Sequence, residues 1–272
     1  MIVVTGSTGN IGRPLVEALT EAGESVTAVS RHPVELPRGT RHVTGDLADP
    51  HSLEPAFQGA DRLFLMAPDP TLPVAEIVKT ARAAGIDRIV LLSSQRAQTR
   101  DDDPFLKNLE ETVTDAFPEW TVLRPGGFAS NALLWSGPIR STRTVQAPFG
   151  DVALPPIDPA DIAAAAAAAL REDTHRGRYY TLNGPEALTP REQVAVIADA
   201  LGEQIEFIEQ TREQAFAQLS QIWPPTVVDK TLDALGTPTV AERTPSPDTE
   251  LALGRAPRSF SDWVARNLDA FR

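Results

Sequence analysis

The chain has 272 residues, enough for one α/β domain with a smaller appended lobe, and its 42% apolar content supports an ordinary globular core. A net charge of −12 argues against nucleic acid and anionic membrane as partners, since both need a basic face, and no apolar window approaches the ~18 residues of a membrane span. The absence of cysteine excludes disulfides, thiolate metal sites and thiol nucleophiles, and His32, His42, His51 and His175 are scattered without metal-ligand spacing, so no metal site is expected.

The N-terminus enters an apolar strand, Ile2-Val3-Val4, with no charged leader, which together with the missing membrane span favours the cytoplasm. Thr5-Gly6-Ser7-Thr8-Gly9-Asn10-Ile11-Gly12 follows at once. Three glycines three apart, at the seam of a first strand and a first helix (11–23), describe a loop that closes on a pyrophosphate. Gly6 allows the tight turn, Gly9 lets the backbone approach the phosphates, and Gly12 lets helix pack on strand. The helix start points its N–H groups and positive dipole end at the anion.

The second strand, 25–30, ends in Arg31-His32-Pro33. A site for NAD usually offers a carboxylate here to bind the ribose hydroxyls. This chain offers a guanidinium instead, which suits a 2′-phosphate and predicts NADPH as the preferred cofactor.

Further strands are expected at 41–45, 62–66, 88–92 and 120–124, alternating with helices at 51–57, 71–84 and 104–117. That order builds a doubly wound parallel α/β sheet, whose ligands bind beyond the carboxyl ends of the strands. Residues 159–171 read as an alanine-rich packing helix with Asp158 as its N-cap, and 177–182 as a last strand of the main sheet. Beyond it the pattern predicts a helix at 190–201, a short strand at 204–208, helices at 212–220 and 226–235, a long loop over the proline-rich and polar stretch 237–258, and a final helix at 259–270. The expected division is a dinucleotide-binding Rossmann domain, 1–125 plus about 157–183, and a substrate-binding lobe of 126–156 and 184–272 with the cleft between them. A monomer or homodimer is expected. The aromatic residues Phe128, Trp135, Phe149 and Trp223 are the candidates for a wall that holds a flat, apolar aromatic small molecule.

The glycine loop, Arg31, Gly45-Asp46-Leu47, Leu123-Arg124-Pro125-Gly126-Gly127-Phe128 with Asn131, Gly184-Pro185-Glu186 and Gly254-Arg255-Ala256-Pro257-Arg258-Ser259-Phe260 together resemble the NmrA-like atypical short-chain dehydrogenase/reductases, over nearly the whole chain. The resemblance implies that Gly6, Ser7, Thr8, Gly9, Asn10, Ile11 and Gly12 line the pyrophosphate, Arg31 the adenosine phosphate and Asp46 the adenine. It implies that Met66-Ala67-Pro68 flank the nicotinamide ribose, that Ser93-Ser94-Gln95 sit where related reductases keep a catalytic serine, and that Pro125, Gly126, Gly127 and Phe128 wall the nicotinamide.

Ordinary short-chain reductases pair a tyrosine with a lysine four residues later on the helix after the fifth strand, the tyrosine giving its proton to the carbonyl oxygen. Here that helix contains Lys107 and no tyrosine; Asp103 stands four residues before the lysine and reads as a helix cap. Leu106 stands four residues before Glu110, where many relatives of this family carry a histidine. Tyr179 and Tyr180, the chain's two tyrosines, fall on a later strand and read as packing residues. Three readings stay open: an enzyme whose proton comes from Ser93, Ser94, Lys107, solvent or the substrate's own hydroxyl; a reaction that needs little acid help, such as quinone reduction; or a cofactor-binding redox sensor without turnover. The frame without tyrosine also resembles the ketoreductases of angucyclinone (aromatic polyketide) tailoring. The expected activity is therefore NADPH-dependent reduction of a ketone or quinone in a bulky, apolar, polyketide-like compound.

Overall fold

Short β-branched and leucine-rich runs, most of them followed by an amphipathic segment, become strands and covering helices in the computed structural model, which describes residues 1–101 and 103–272. In chain order the first half holds β1 (Ile2–Val4), α1 (Gly12–Glu21), β2 (Val26–Ser30), β3 (Arg41–Thr44), α2 (Glu54–Phe57), β4 (Arg62–Met66), α3 (Val74–Ala83), β5 (Arg88–Leu92), α4 (Arg96–Thr99), α5 (Pro104–Ala116) and β6 (Glu119–Pro125). Then come α6 (Ser136–Thr142), β7 (Thr144–Pro148), α7 (Pro159–Arg171) and β8 (Arg178–Leu182). The remainder is α8 (Pro190–Leu201), β9 (Glu206–Gln210), α9 (Arg212–Leu219), α10 (Pro225–Gly236), α11 (Val240–Arg243), α12 (Asp248–Leu253) and α13 (Phe260–Asn267).

The chain divides into two units. The first comprises Met1–Gly126, Pro159–Leu182 and Pro247–Ala256. Its seven strands are all parallel, in the order β3-β2-β1-β4-β5-β6-β8, which is the Rossmann arrangement. Leu63, Leu65, Ile89 and Leu91 face a core shared with α2, α3 and α5; the alternate residues Phe64 and Val90 face the side where α1 and α7 pack together. The alanines of α7 leave no side-chain bulk beyond Cβ, and five of them are buried. The strand order reverses between β1 and β4, and that is the switch point at which open α/β sheets bind ligands.

The second unit comprises Gly127–Asp158, Asn183–Ser246 and Pro257–Arg272. Parallel pairing of β7 with β9, in register from Thr144–Glu206 to Pro148–Gln210, forms its small sheet. One apolar cluster joins Ile139, Val145, Ile197, Phe260, Trp263 and Phe271, and a smaller one joins Ala215, Val228 and Leu232 with Phe149 and Trp223 packed against it.

Three expectations are corrected. The stretch 237–258 is not one long loop: Thr239 and Glu242 form a reciprocal capping box that starts α11, and Gly254, at φ +66°, ends α12 in the left-handed conformation. Tertiary packing holds α12 in the first unit, since the Asp248 carboxylate accepts the Thr181 backbone N–H at 3.0 Å and Arg255 reaches the buried Asp161 at 2.6 Å. The segment after β6, given no elements from its sequence, forms a 3₁₀ turn (Ala129–Trp135), α6 and β7. Asp103 stands at the N-cap of α5 without a side-chain capping bond, its carboxylate turned to Arg96 at 3.6 Å.

Candidate active site

The glycine loop is shaped by atoms that leave no room for side chains. Gly6 lies at φ +62°, and a Cβ on it would run into the Met66 methyl; a Cβ on Gly12 would strike the Gly6 carbonyl and the Ser7 Cα. Gly9 is different: only the Gly6 carbonyl oxygen, at 3.4 Å, lies near its Cβ position, so the rest of its surface is open. Ser7 is buried and donates both its hydroxyl (2.9 Å) and its backbone N–H (3.3 Å) to the Val29 carbonyl of β2. Thr5 donates its hydroxyl to Phe64 and accepts the Met66 N–H, both at 3.0 Å. The loop is thereby stitched to both neighbouring strands, with Ile11 buried beneath it and Thr8 and Asn10 exposed at its rim.

Helix α1 begins at Ile11 with no side-chain cap. The N–H groups of Ile11 and Gly12 have no acceptor within the helix, while Arg13 donates its own to the Gly9 carbonyl at 3.1 Å and Pro14 has none; a pyrophosphate supplies both acceptors and charge that the dipole favours. The cradle fits the diphosphate of a nicotinamide dinucleotide. Arg31 stands exposed just past β2 and makes no ion pair among the described residues. Asp46, past β3, is exposed; its carboxylate accepts the Ala48 N–H at 3.0 Å, an Asx turn. Met66 ends β4, Ala67 is buried and Pro68 is exposed.

Past β5, the Ser93 hydroxyl donates to Glu110 Oε1 on α5 at 2.5 Å. Glu110 is 5% exposed, and the Arg124 guanidinium of β6 grips it with Nε to Oε1 at 3.0 Å and Nη2 to Oε2 at 2.5 Å. Arg124 also lies 4.2 Å from the centre of the Tyr179 ring. Ser94 accepts the Arg96 N–H at 3.3 Å at the head of α4. Lys107 does not join this group: its ammonium bonds the fully exposed Asp101 at 2.8 Å and holds that carboxyl below its usual pKa range. Of the tyrosines, Tyr180 is buried against His175, with its hydroxyl 3.0 Å from Nδ1. Burial raises the Tyr180 pKa and lowers that of His175. Pro125 ends β6, and Gly126 donates its N–H to Leu182.

In the second unit, Gly127, Phe128, Trp135, Phe149 and Trp223 line one cavity of about 220 Å³. Phe149 holds φ +57°, a left-handed conformation that costs a bulky residue about 1–3 kcal/mol, and its ring lies against Gly236 where a Cβ would be. The remaining wall is aliphatic except for Asn131, Thr231 and the glutamines Gln146, Gln193, Gln210 and Gln218, and no lining side chain carries a charge among the described residues. Sequence reasoning named none of these glutamines, nor Glu110 as the partner of Ser93. Alternation along β7 places Gln146 between the buried Val145 and Ala147, a weak signal that says only which face it takes.

Residues 6–173 match the NAD(P)H-binding family. The chain is 38% identical, over all of its own length and 99% of the relative's, to the (4-alkanoyl-5-oxo-2,5-dihydrofuran-3-yl)methyl phosphate reductase of Streptomyces griseus. It is 29% identical, again over its full length and 99% of the relative's, to the NAD(P)H azoreductase of Xenophilus azovorans. Its fold superposes on the NADPH-dependent quinone oxidoreductase of Escherichia coli complexed with NADPH with a TM-score of 0.83 at 23% identity, covering 98% of this chain and 99% of that one. The glycine cradle at the switch point of a seven-stranded parallel sheet and these likenesses agree: the chain belongs to the NAD(P)H-binding family of NmrA-like atypical short-chain dehydrogenase/reductases and is an NAD(P)H-dependent reductase.

Proposed function

We propose that this reductase prefers NADPH and reduces a ketone or quinone, conjugated and carried on a bulky, apolar, polyketide-like aromatic body, without a catalytic tyrosine. The observation that carries the reading is the uncharged cavity of the second unit, to which Phe128, Trp135, Phe149 and Trp223 all contribute. Such a wall binds a flat apolar molecule by burial and ring stacking.

When bound, the reduced nicotinamide supplies a hydride to the electron-poor carbon, and a proton completes the reduction. The residues of this chain divide the remaining work. Gly6, Ser7, Thr8, Gly9, Asn10, Ile11 and Gly12 hold the diphosphate, Arg31 takes the 2′-phosphate, and Asp46 borders the adenine. Met66, Ala67, Pro68, Pro125, Gly127 and Phe128 border the nicotinamide end. Ser93 has its hydroxyl proton committed to Glu110, so it accepts but does not donate toward a ligand. Lys107 is engaged by Asp101. Ser94 keeps its hydroxyl proton, since its oxygen accepts the Arg96 N–H, so the proton comes from Ser94, from solvent or from a hydroxyl of the substrate.

A quinone, or an enone that takes hydride at its β-carbon, suits this arrangement best, because the phenolate or enolate left behind is delocalised and needs little help from an acid; a ketone reduced at its carbonyl leaves a localised alkoxide and needs the nearby proton. The relatives' names support the same class: an oxo-dihydrofuran, an azo compound and a quinone are all conjugated acceptors. The test is to incubate the protein with NADPH and a panel of hydroxylated quinones and aryl ketones while following loss of nicotinamide absorbance. Turnover of several panel members is expected, with NADPH bound more tightly than NADH. Cofactor binding with no oxidation on any panel member overturns the substrate reading, and equal affinities for the two cofactors overturn the preference.

A further inference from the structure

The polar part of the second unit's cavity is built from amides. Gln210, at the end of β9, donates its Nε2 to Gln218 Oε1 on α9 at 2.7 Å and to Gln146 Oε1 on β7 at 3.4 Å. All three side chains line the cavity, with Gln210 half-buried and Gln146 and Gln218 exposed to solvent. Their pairing uses one amide nitrogen and two amide oxygens, which leaves the Nε2 donors of Gln146 and Gln218 and the Oε1 acceptor of Gln210 without a protein partner among the described residues. A row of neutral donors and one acceptor recognises carbonyl and hydroxyl oxygens. It does not compensate a dianion, which needs cations or a helix terminus when taken out of water.

The arginines beside lining residues do not supply that cation. Arg191, next to Pro190, bonds Asp151 at 3.1 Å and also pairs with Glu209, while its guanidinium lies 4.5 Å from the centre of the Phe207 ring. Arg212, two residues past Gln210, is held by Asp229 and Asp233, each at 2.7 Å. Each guanidinium already has two carboxylates.

We infer that this cavity selects an uncharged, oxygen-bearing substrate through Gln146, Gln210 and Gln218, and rejects its phosphorylated counterpart. The Streptomyces griseus relative, at 38% identity, is named for a phosphate ester, so the inference separates this chain's substrate class from that one. It rests on the reading of the cavity as the substrate site and adds the sign of charge that the site accepts.

The test is calorimetric binding, in the presence of NADP+, of two synthetic probes that differ by one group: a 4-hexanoyl-5-oxo-2,5-dihydrofuran bearing a 3-hydroxymethyl arm, and its phosphate monoester. The free alcohol is expected to bind about tenfold more tightly than the ester, because the phosphate gives up part of its water and finds no cation in the wall. Gln210→Met is expected to weaken the alcohol about tenfold, by loss of the amide that orders the row. Gln218→Arg places a cation in the wall and is expected to narrow the gap or reverse it. Circular dichroism spectra like wild type for both variants separate lost recognition from lost folding. Ester binding as tight as or tighter than the alcohol, or no binding by either probe, overturns the inference. Catalysis is read separately by NADPH oxidation on the quinone panel, so the reductase reading can fail while charge selection holds, or the reverse.

Discussion

Ser93 Oγ lies 2.5 Å from Glu110 Oε1, a hydroxyl at the carboxyl end of β5 tied to a buried carboxylate of α5. Arg124 holds both oxygens of that carboxylate, so its charge is paired and the Ser93 proton has a fixed destination. Ser93 is thereby part of a partly buried ion-pair network centred on the buried Glu110. Ser93→Ala is expected to lower stability by about 1.5–3 kcal/mol, the worth of a hydrogen bond to a charged group, and to slow NADPH oxidation by less than about tenfold. A loss of a hundredfold or more at unchanged cofactor affinity would assign Ser93 the proton transfer.

Arg124→Met leaves Glu110 buried with no cation. Removing one partner of a buried pair costs about 3–5 kcal/mol, and urea unfolding should show a loss of that size. The double variant Arg124→Met, Glu110→Gln should recover a large part of it. A loss confined to a few tenths of a kcal/mol would mean that water reaches the carboxylate.

Arg31 is exposed and has no ion pair among the described residues, as befits a guanidinium kept for a ligand. Arg31→Ala is expected to weaken NADPH by about 1.5–3 kcal/mol, roughly 10- to 100-fold, and to leave NADH affinity within about twofold. Titration with both cofactors measures it. Equal losses for NADPH and NADH would show that Arg31 does not read the 2′-phosphate.

Gly236 faces the Phe149 ring, whose Cζ lies 2.6 Å from the place a Cβ would take. Gly236→Ala pushes that ring, the movable end of a side chain, and so reshapes the cavity at modest cost to the fold. The expected result is a KM for an accepted quinone raised several-fold, NADPH affinity unchanged and stability reduced by about 1–3 kcal/mol. An unchanged KM would place the substrate away from Phe149.

His175 is buried beside Tyr180, and burial lowers its pKa below the ordinary value of about 6.5; Glu172 opposes that shift without reversing it. Below about pH 6.5 the unfolded chain takes up a proton that the folded chain does not. This contribution to stability is therefore whole above pH 6.5 and is lost as pH falls toward the folded pKa. Urea unfolding at pH 7.5 and pH 5.5 should show a smaller pH dependence in His175→Gln than in wild type. Identical dependence in both would remove His175 as a source.

The sequence alone determined the sheet and its ligand end, because those depend on local rules. Ile2-Val3-Val4 followed by the glycine loop needs a strand, a turn with positive φ at Gly6 and a helix start, and only short-range sterics enter. The alanine-rich helix and the order of alternating elements follow from periodicity in the same way. Only the tertiary structure decided which distant side chains meet. Glu110 and Arg124 are 14 residues apart, and Gln146 and Gln210 are 64 apart, and no periodicity carries such a pairing. The capping box at Thr239 and Glu242 is a local pattern that the reading of 237–258 as a loop missed, whereas the attachment of α12 rests on Thr181 and Asp161, which lie far back along the chain. Local sterics are written residue by residue; compensation of buried charge and the wall of a cavity arise from side chains that only folding brings together.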